Sequence, residues 1–580
     1  MALLFRFLLW SALWLAGSRA FAFATQVRKA RATGLPYTLS PINELENLCY
    51  LTNLLLRWRY RTRLSRGEGW PRWARFMVKD WMYEDRGRAH LEFGEVFLVV
   101  SPGGIVCYVG NARTATNVCM RRSNFPKPRE KMKMLEPFGP NVVSSNGDLW
   151  RLHLRTTVPS FGEGVNRLVW GETIRQTRFL MSAWSNNSSK KLSDEIFKLT
   201  LNVMCTCGFG QQTDWATDQT AVPSGHSMTL VNGVMGVVES LPAILLLPRW
   251  ILKLTFKHAH ECFLEVENYM HEFIRHEKAR PASGINGISK VKGSLLTALI
   301  SSNGRADGDI SINSKFGRTA ITDEEVMGNA FIFLLAGYDT TANTAIFCTI
   351  VLALYPHIQD KLTMEIDRIY DEAAQGGRNN LSYDEDLPKF RYILAFMYEV
   401  MRVFPIVLPL GRIAAEDQEL VVESRPWTAA PRTDTPTTRR HVLPKGCGVI
   451  VNNTGIHYNP DSWVQPEVLD PRRWLSANPN KFDPAAILTE DLDRNTHSIP
   501  NHAKGTFLSF GEGPRACLGK RFSQVEFISF FATLLSEYRV VLGGTTPAAE
   551  VERIMRLRSG GSPVTLTPPE DVQLRLEKRR

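Results

Sequence analysis

The chain has 580 residues, 44% of them hydrophobic and 22% charged, with a formal net charge of +11. This composition supports a large buried core and excludes global disorder. The basic balance suits an anionic membrane or an acidic partner protein, and with no zinc-finger spacing, no RNA-binding aromatic signature and no long basic run the chain does not read as a nucleic-acid binder.

The N-terminus, MALLFRFLLWSALWLAGSRAFAFA, is apolar but broken by Arg6 and Arg19. Its clean run, 7–18, is 12 residues, short of the ~20 that a spanning helix needs and within the range of a signal-peptide core. The whole stretch could span if the arginines snorkel, and Arg28, Lys29 and Arg31 favour a cytosolic downstream side. The sequence therefore predicts an uncleaved membrane anchor at 1–24; a cleaved signal peptide ending near AFA (20–22) is the alternative. Residues 25–41, ending in GLPYTLSP, read as a proline hinge.

From there the chain reads as one domain, 42–580, mainly α with minor β. Short strands are expected over 88–115. Helical periodicity runs through 149–161, 165–184, 191–208, 255–280, 322–354, 356–373 and 389–404. Within it, ESLPAILLLPRWIL (239–252) reads as an apolar loop, either buried in the core or dipped into lipid, and the anchor favours lipid. Residues 405–460 turn to short β pieces, interrupted by a polar Pro/Thr-rich loop at 424–440. Helix returns at 519–536, and 557–568 reads as a hairpin. The nine cysteines are odd in number, irregularly spaced and without C-x-x-C. They form no disulfide framework and fit a reducing compartment.

One cysteine stands apart. Residues 510–522, FGEGPRACLGKRF, set Cys517 among three glycines, a proline and two arginines. Glycines at 511, 513 and 519 allow a tight turn that brings backbone N–H groups to the sulfur. Arg515 adds charge beside it, and the start of the next helix favours an anion. Such a loop can present a thiolate with one outward ligand bond. A buried structural cysteine is the plain alternative.

The pattern F-x-x-G-x-R-x-C-x-G, carried by Phe510, Gly513, Arg515, Cys517 and Gly519, resembles the heme-binding loop of the cytochrome P450 family. The resemblance implies heme b with Cys517 as the thiolate ligand of its iron, Arg515 paired with a propionate and Phe510 packed against the heme. Three further motifs follow the family's order. AGYDTT (336–341) resembles the acid–alcohol pair of the monooxygenases: Asp339 would relay protons, Thr340 would assist, and Ala336 and Gly337 would border the oxygen pocket, with Gly337 leaving room for a ligand. EVMR (399–402) places Glu399 and Arg402 on one helix face, and DPRRW (470–474) supplies Arg473 to complete a structural ion triad. The family usually has Glu where Arg472 stands, outside the triad. DLWRLHLRTTVPSF (148–161) resembles the helix that meets the propionates through Trp150 and His153; its usual basic residue four after the Trp is Leu154 here, with Arg155 one further on. Arg412, in LPLGRIAAED, aligns with another propionate contact.

The resemblance covers about residues 36–570 and looks most like membrane-bound fungal members. It implies a cytochrome P450 fold and a monooxygenase that takes NADPH electrons from a cytochrome reductase, with cytochrome b5 as a possible second donor. One oxygen atom from O2 would enter an apolar small molecule, a secondary metabolite by analogy, at the endoplasmic reticulum membrane with the catalytic domain cytosolic. Substrate would touch 121–145, 215–252, 331–335, 406–410 and 557–562. A reductase-independent heme-thiolate isomerase or dehydratase is the alternative; such members tend to lack the acid–alcohol pair that this chain carries. A non-catalytic heme sensor or scaffold would need no proton relay either.

Overall fold

A computed structural model of the chain describes residues 2–186, 192–211, 215, 222–278, 294–304, 320–424, 437–476, 502–558, 560–561, 565–569 and 571–579. The N-terminal segment is one helix, Ala2–Thr33. Its first part leaves Phe7, Trp10, Trp14 and Phe21 exposed. Its last part is docked, with Phe23, Val27 and Ala30 packed into a hydrophobic cluster under the sheet. These three lie on one helical face, so burial carries the helix beyond residue 24. The hinge expected over 25–41 contracts accordingly. The chain turns at Gly34, whose φ is 70°, and Tyr37–Leu39 is already a strand.

That strand opens a five-stranded sheet in the order 37–39, 96–101, 104–109, 448–452 and 409–413. The 96–101 and 104–109 pair is an antiparallel hairpin, and 104–109 pairs in parallel with 448–452. Strands from either end of the sequence thus share one sheet, and the residues between them form the helical body. Of the strand region expected at 88–115, Arg88–Phe93 is helical.

The body is built on Asp323–Leu354. This helix begins in a capping box: the Thr322 hydroxyl accepts from the Glu325 N–H, and the Glu325 carboxylate accepts from the Thr322 N–H. It is apolar on all sides, as a helix surrounded by other helices must be. Among the described residues it is the one helix long and apolar enough to cross a membrane, but 83% of that apolar window is buried. It is the core of the globule. Helices Leu192–Phe209 and Arg391–Val403 pack directly on it, and Lys520–Glu537 packs on Glu163–Asn186 and against the core helix.

The stretch 239–252 departs from expectation. It is largely helical, as Leu241–Leu246 and the start of Arg249–Thr255. Leu241 and Leu252 are buried, whereas Trp250 and the neighbouring Leu254 and Phe256 are exposed. Pro248 ends one turn and its fixed φ starts the next. Of the polar loop expected at 424–440, Ser424 ends one strand and 437–440 belong to the strand paired with it; 425–436 lie outside the described residues. In the C-terminal hairpin, Gly560–Gly561 pairs with Leu566–Thr567, and the tip, 562–564, lies outside the described residues.

Candidate active site

The cysteine loop crosses from the end of the sheet region to helix Lys520–Glu537. Gly511 and Gly513 have φ of 66° and 71°, a conformation that side chains rarely adopt. A Cβ at Gly513 would also lie 3.0 Å from the Cys119 carbonyl oxygen. The turn is closed by the Cys517 N–H donating to the Phe510 carbonyl at 2.8 Å. Gly519 caps the following helix, and its N–H is directed at the Cys517 sulfur. Phe510 is partly buried, with its ring edge-on to Tyr398 at 6.3 Å.

Eight of the nine cysteines are buried and Cys517 is exposed. Its surface is open, yet protein crowds around it, and this desolvation raises its thiol pKa against the Gly519 N–H and the charge of Lys520. Both observations describe a sulfur at the floor of a protein-lined hollow. The neighbouring charge is that of Lys520 and not of Arg515, which is engaged elsewhere. In this setting the thiolate forms by binding a cation.

A second wall is the core helix. Between the buried Leu335 and Tyr338, Ala336 is exposed and Gly337 partly so, and Thr340 one turn on is partly open. The Thr340 hydroxyl donates to the Ala336 carbonyl at 2.6 Å, a bond that loosens the helix at that turn. Phe161 joins the two walls. Its ring is edge-on to Phe333 and 3.9 Å from where a Gly519 Cβ would stand. Gly337 does not serve as expected: a Cβ there would lie 2.5 Å from the Met204 sulfur. Close packing of helix Leu192–Phe209 takes that space, and Ala336 presents the open surface.

Asp339 is buried beside this opening. Its carboxylate accepts from the Thr565 hydroxyl at 2.6 Å and from the Asn343 amide at 3.2 Å. Burial raises its pKa, and these two donors oppose the rise. Neither Asn343 nor Thr565 is part of a sequence motif: Asn343 stands one turn on along the same helix, and only the fold brings Thr565 to the acid.

A third wall is cationic. The Arg515 guanidinium donates to the carbonyls of Val142 and Ser145 and to Asn146 Oδ1, and lies 4.2 Å from the Trp150 ring centre. Arg122 sits over the same ring at 4.8 Å. Burial, then Arg412 and Arg122, pull the Arg515 pKa down to about 9. Lys127 falls to about 7 through burial and the charges of Arg412 and Arg515. Among the described residues, none of these four cations is joined to a carboxylate. Crowding cations that are buried, as Arg412 is, or partly buried, as the other three are, without a counter-charge is costly, and a ligand bearing carboxylates would relieve it. Exposed sulfur, open helix face and unneutralised cations together fit a heme with its propionates. Sequence reading missed Arg122 and Lys127, which lie in a basic segment without a distinctive spacing. His153 lies elsewhere: its Nδ1 accepts from Asn329 at 2.7 Å and its Nε2 is 3.9 Å from Glu325. Arg155 is exposed on its helix.

Behind the cysteine loop, Glu399, Arg402 and Arg473 are completely buried. Glu399 accepts two bonds from Arg402 and one from Arg473, each at 2.9 Å, plus one from the Trp474 indole at 3.0 Å. Burial disfavours its charge, but the two guanidinium groups and their N–H bonds hold its pKa near 2. Backbone carbonyls of His457, Pro466, Val464 and Val468 take the remaining arginine protons. Arg472 pairs with Asp470 outside the triad. His457 links this network to the cysteine loop: its Nδ1 is 3.2 Å from the Arg402 carbonyl, and its Nε2 accepts from the Leu508 N–H at 3.1 Å.

Comparison with known proteins agrees with this geometry. The family model described as Cytochrome P450 matches residues 73–422 and 431–563. The chain is 40% identical over 568 residues to "Cytochrome P450 monooxygenase ORF6" of Penicillium roqueforti, covering 96% of this chain and 94% of the relative. It is likewise 40% identical over 568 residues to "Cytochrome P450 monooxygenase prx9" of Penicillium rubens, at the same coverage. A zebrafish cytochrome P450 solved with abiraterone superposes with a TM-score of 0.61 at 20% identity, covering 86% of this chain and all of that one. With the motifs in order, the fold shared and the match running along most of its length, the chain belongs to the cytochrome P450 family and is a monooxygenase of the kind found in fungi.

Proposed function

We propose that this enzyme inserts one oxygen atom from O2 into an apolar small molecule, a fungal secondary metabolite, with electrons drawn from NADPH through a membrane-bound cytochrome reductase. The observation that carries this reading is the conjunction of an exposed Cys517 sulfur with a buried acid, Asp339, one residue from a partly open hydroxyl, Thr340. A heme-thiolate isomerase needs the first and has no use for the second. When bound, the heme supplies electron transfer and oxygen activation, favoured by thiolate donation to its iron. The residues of this chain do the rest. Cys517 would hold the iron, with the Gly519 N–H tempering the charge on its sulfur. Arg515, Arg412, Lys127 and Arg122 would neutralise the propionates, with the Arg515 and Arg122 guanidinium groups lying against the Trp150 ring. Phe510 limits water at the sulfur. Thr340 and Asp339 would hold and move protons at the core-helix wall, where Ala336 leaves the helix open.

The exposed aromatic residues of helix Ala2–Thr33 and of 250–256 support a membrane-held enzyme, anchored at the endoplasmic reticulum with its globule in the cytosol. Basic side chains elsewhere on the surface suit the acidic face of a reductase, with cytochrome b5 as a second donor. The substrate would meet the segments near 121–145, 331–335 and 406–410.

The test is the carbon-monoxide difference spectrum of the reduced protein beside Cys517→Ala. A strongly red-shifted heme band in the parent, absent in the variant, supports the thiolate. An unchanged spectrum in the variant overturns it. Requirement for NADPH, reductase and O2 in turnover separates monooxygenase from isomerase.

A further inference from the structure

The acid of the proton pair has an unexpected keeper. Asp339 does not bond the Thr340 hydroxyl, which is committed to the Ala336 carbonyl. Its carboxylate is turned to the C-terminal hairpin and forms a closed ring of contacts with Thr565 and Asn343, in which the Asn343 amide also reaches the Thr565 hydroxyl at 3.3 Å. Among the described residues no lysine or arginine pairs with Asp339. The neighbouring titratable group that feels its charge is Tyr338, on the same helix. A buried carboxylate without a cation depends on its few hydrogen-bond donors both for its rotamer and for its proton affinity. Thr565 is 3% exposed, and the next residue ties the hairpin to another segment: the Leu566 N–H donates to the Ile406 carbonyl at 2.8 Å.

We propose that Thr565 is a positioning residue for proton delivery: its hydroxyl holds the Asp339 carboxylate in place and tunes how readily that group gives up and regains a proton. The proposal rests on the reading of Asp339 as the proton relay. It makes the placement of the C-terminal hairpin, through Ile406 and Leu566, a determinant of how efficiently electrons are used.

The test compares Thr565→Val, which keeps the shape and removes the hydroxyl, with Thr565→Ser, which keeps the hydroxyl, in the full heme-loaded chain. The first readout is the share of NADPH electrons recovered as hydrogen peroxide in substrate-free turnover with a microsomal reductase, followed from pH 6 to 9. Loss of the donor raises the proton affinity of Asp339, so the pH profile of Thr565→Val moves to higher pH and the peroxide share changes about twofold or more. Thr565→Ser follows the parent. The second readout is independent of turnover: the unfolding midpoint of Thr565→Val declines more steeply with rising pH than that of the parent, and the difference vanishes in an Asp339→Asn background. If Asp339→Asn alters the peroxide profile and Thr565→Val leaves both readouts unchanged, the role of Thr565 is overturned. If Asp339→Asn itself leaves the profile unchanged, the relay reading falls instead.

Discussion

At the scale of single residues, buried charge is the most informative feature. Glu526, on helix Lys520–Glu537, is 1% exposed, and among the described residues neither carboxylate oxygen has a hydrogen-bond partner. Burial raises its pKa well above the ordinary 4.5. A raised folded pKa means that the folded state is relatively most stable below the unfolded value and loses stability as pH climbs past it, by about 1.4 kcal/mol per pH unit for one proton. Glu526→Gln should match the parent near pH 4 and exceed it progressively as pH rises toward 7 in denaturant unfolding. Lys127 behaves oppositely. Its folded pKa lies below its unfolded one, near 7 against 10.5, so in the heme-free protein its contribution is full above pH 10.5 and lost as pH falls toward 7. Lys127→Met should flatten that part of the stability–pH curve when heme is absent, and should weaken heme retention when it is present. Cys517 and Asp339 were legible in the sequence because each sits in a fixed local pattern. Lys127, Arg122 and Thr565 were not, because their significance lies in neighbours remote along the chain; Asn343 is one turn from Asp339, but an Asn at that spacing on a helix signals nothing by itself.

At the scale of elements, the ion triad joins a helix to an irregular segment some seventy residues on. Its members are fully desolvated, and Glu399 is the one anion that both arginines share, so removing it leaves two buried cations without a counter-charge. Glu399→Gln should cost about 3–5 kcal/mol and lower heme incorporation, measured by unfolding of the purified protein and by the heme-to-protein absorbance ratio. The double variant Glu399→Leu with Arg473→Met should recover little, because Arg402 then stands alone. The core helix has a milder dependence on its cap: Thr322→Ala should cost about 1 kcal/mol, read by the same unfolding assay. The triad pair Glu399 and Arg402 was visible from i, i+3 spacing. The bonds from Trp474 and the link through His457 to Leu508 were not, since the four- and five-residue helical turns that hold them are too short to carry a periodic signal.

At the scale of the whole molecule, the N-terminal helix belongs to two environments. Phe7, Trp10 and Trp14 face outward, while Phe23, Val27 and Ala30 are part of the sheet's packing. Deleting residues 2–20 should therefore release the protein from membranes with an unfolding midpoint close to that of the parent. Deleting 2–33 should lower the midpoint by several degrees as well, because it strips apolar side chains from the core. Flotation on lipid vesicles and thermal unfolding of the two truncations check this. The outward-facing first part of this helix was legible as an apolar run. Its continuation into the core was not, because hydropathy reports what a segment avoids and not what it meets.

The sequence by itself determined the helix-rich class, the order of its main helices, the cysteine loop and the motifs that mark the family, since each depends on residues close along the chain. Only the tertiary structure decided that Arg122, Lys127, Arg412 and Arg515 form one cationic wall, that Gly337 accommodates Met204, that His153 faces Asn329 and that Asp339 is held by Thr565. These are contacts between segments up to hundreds of residues apart. Their energies depend on burial and on the absence of water, and a side chain acquires those only when the chain has folded around it.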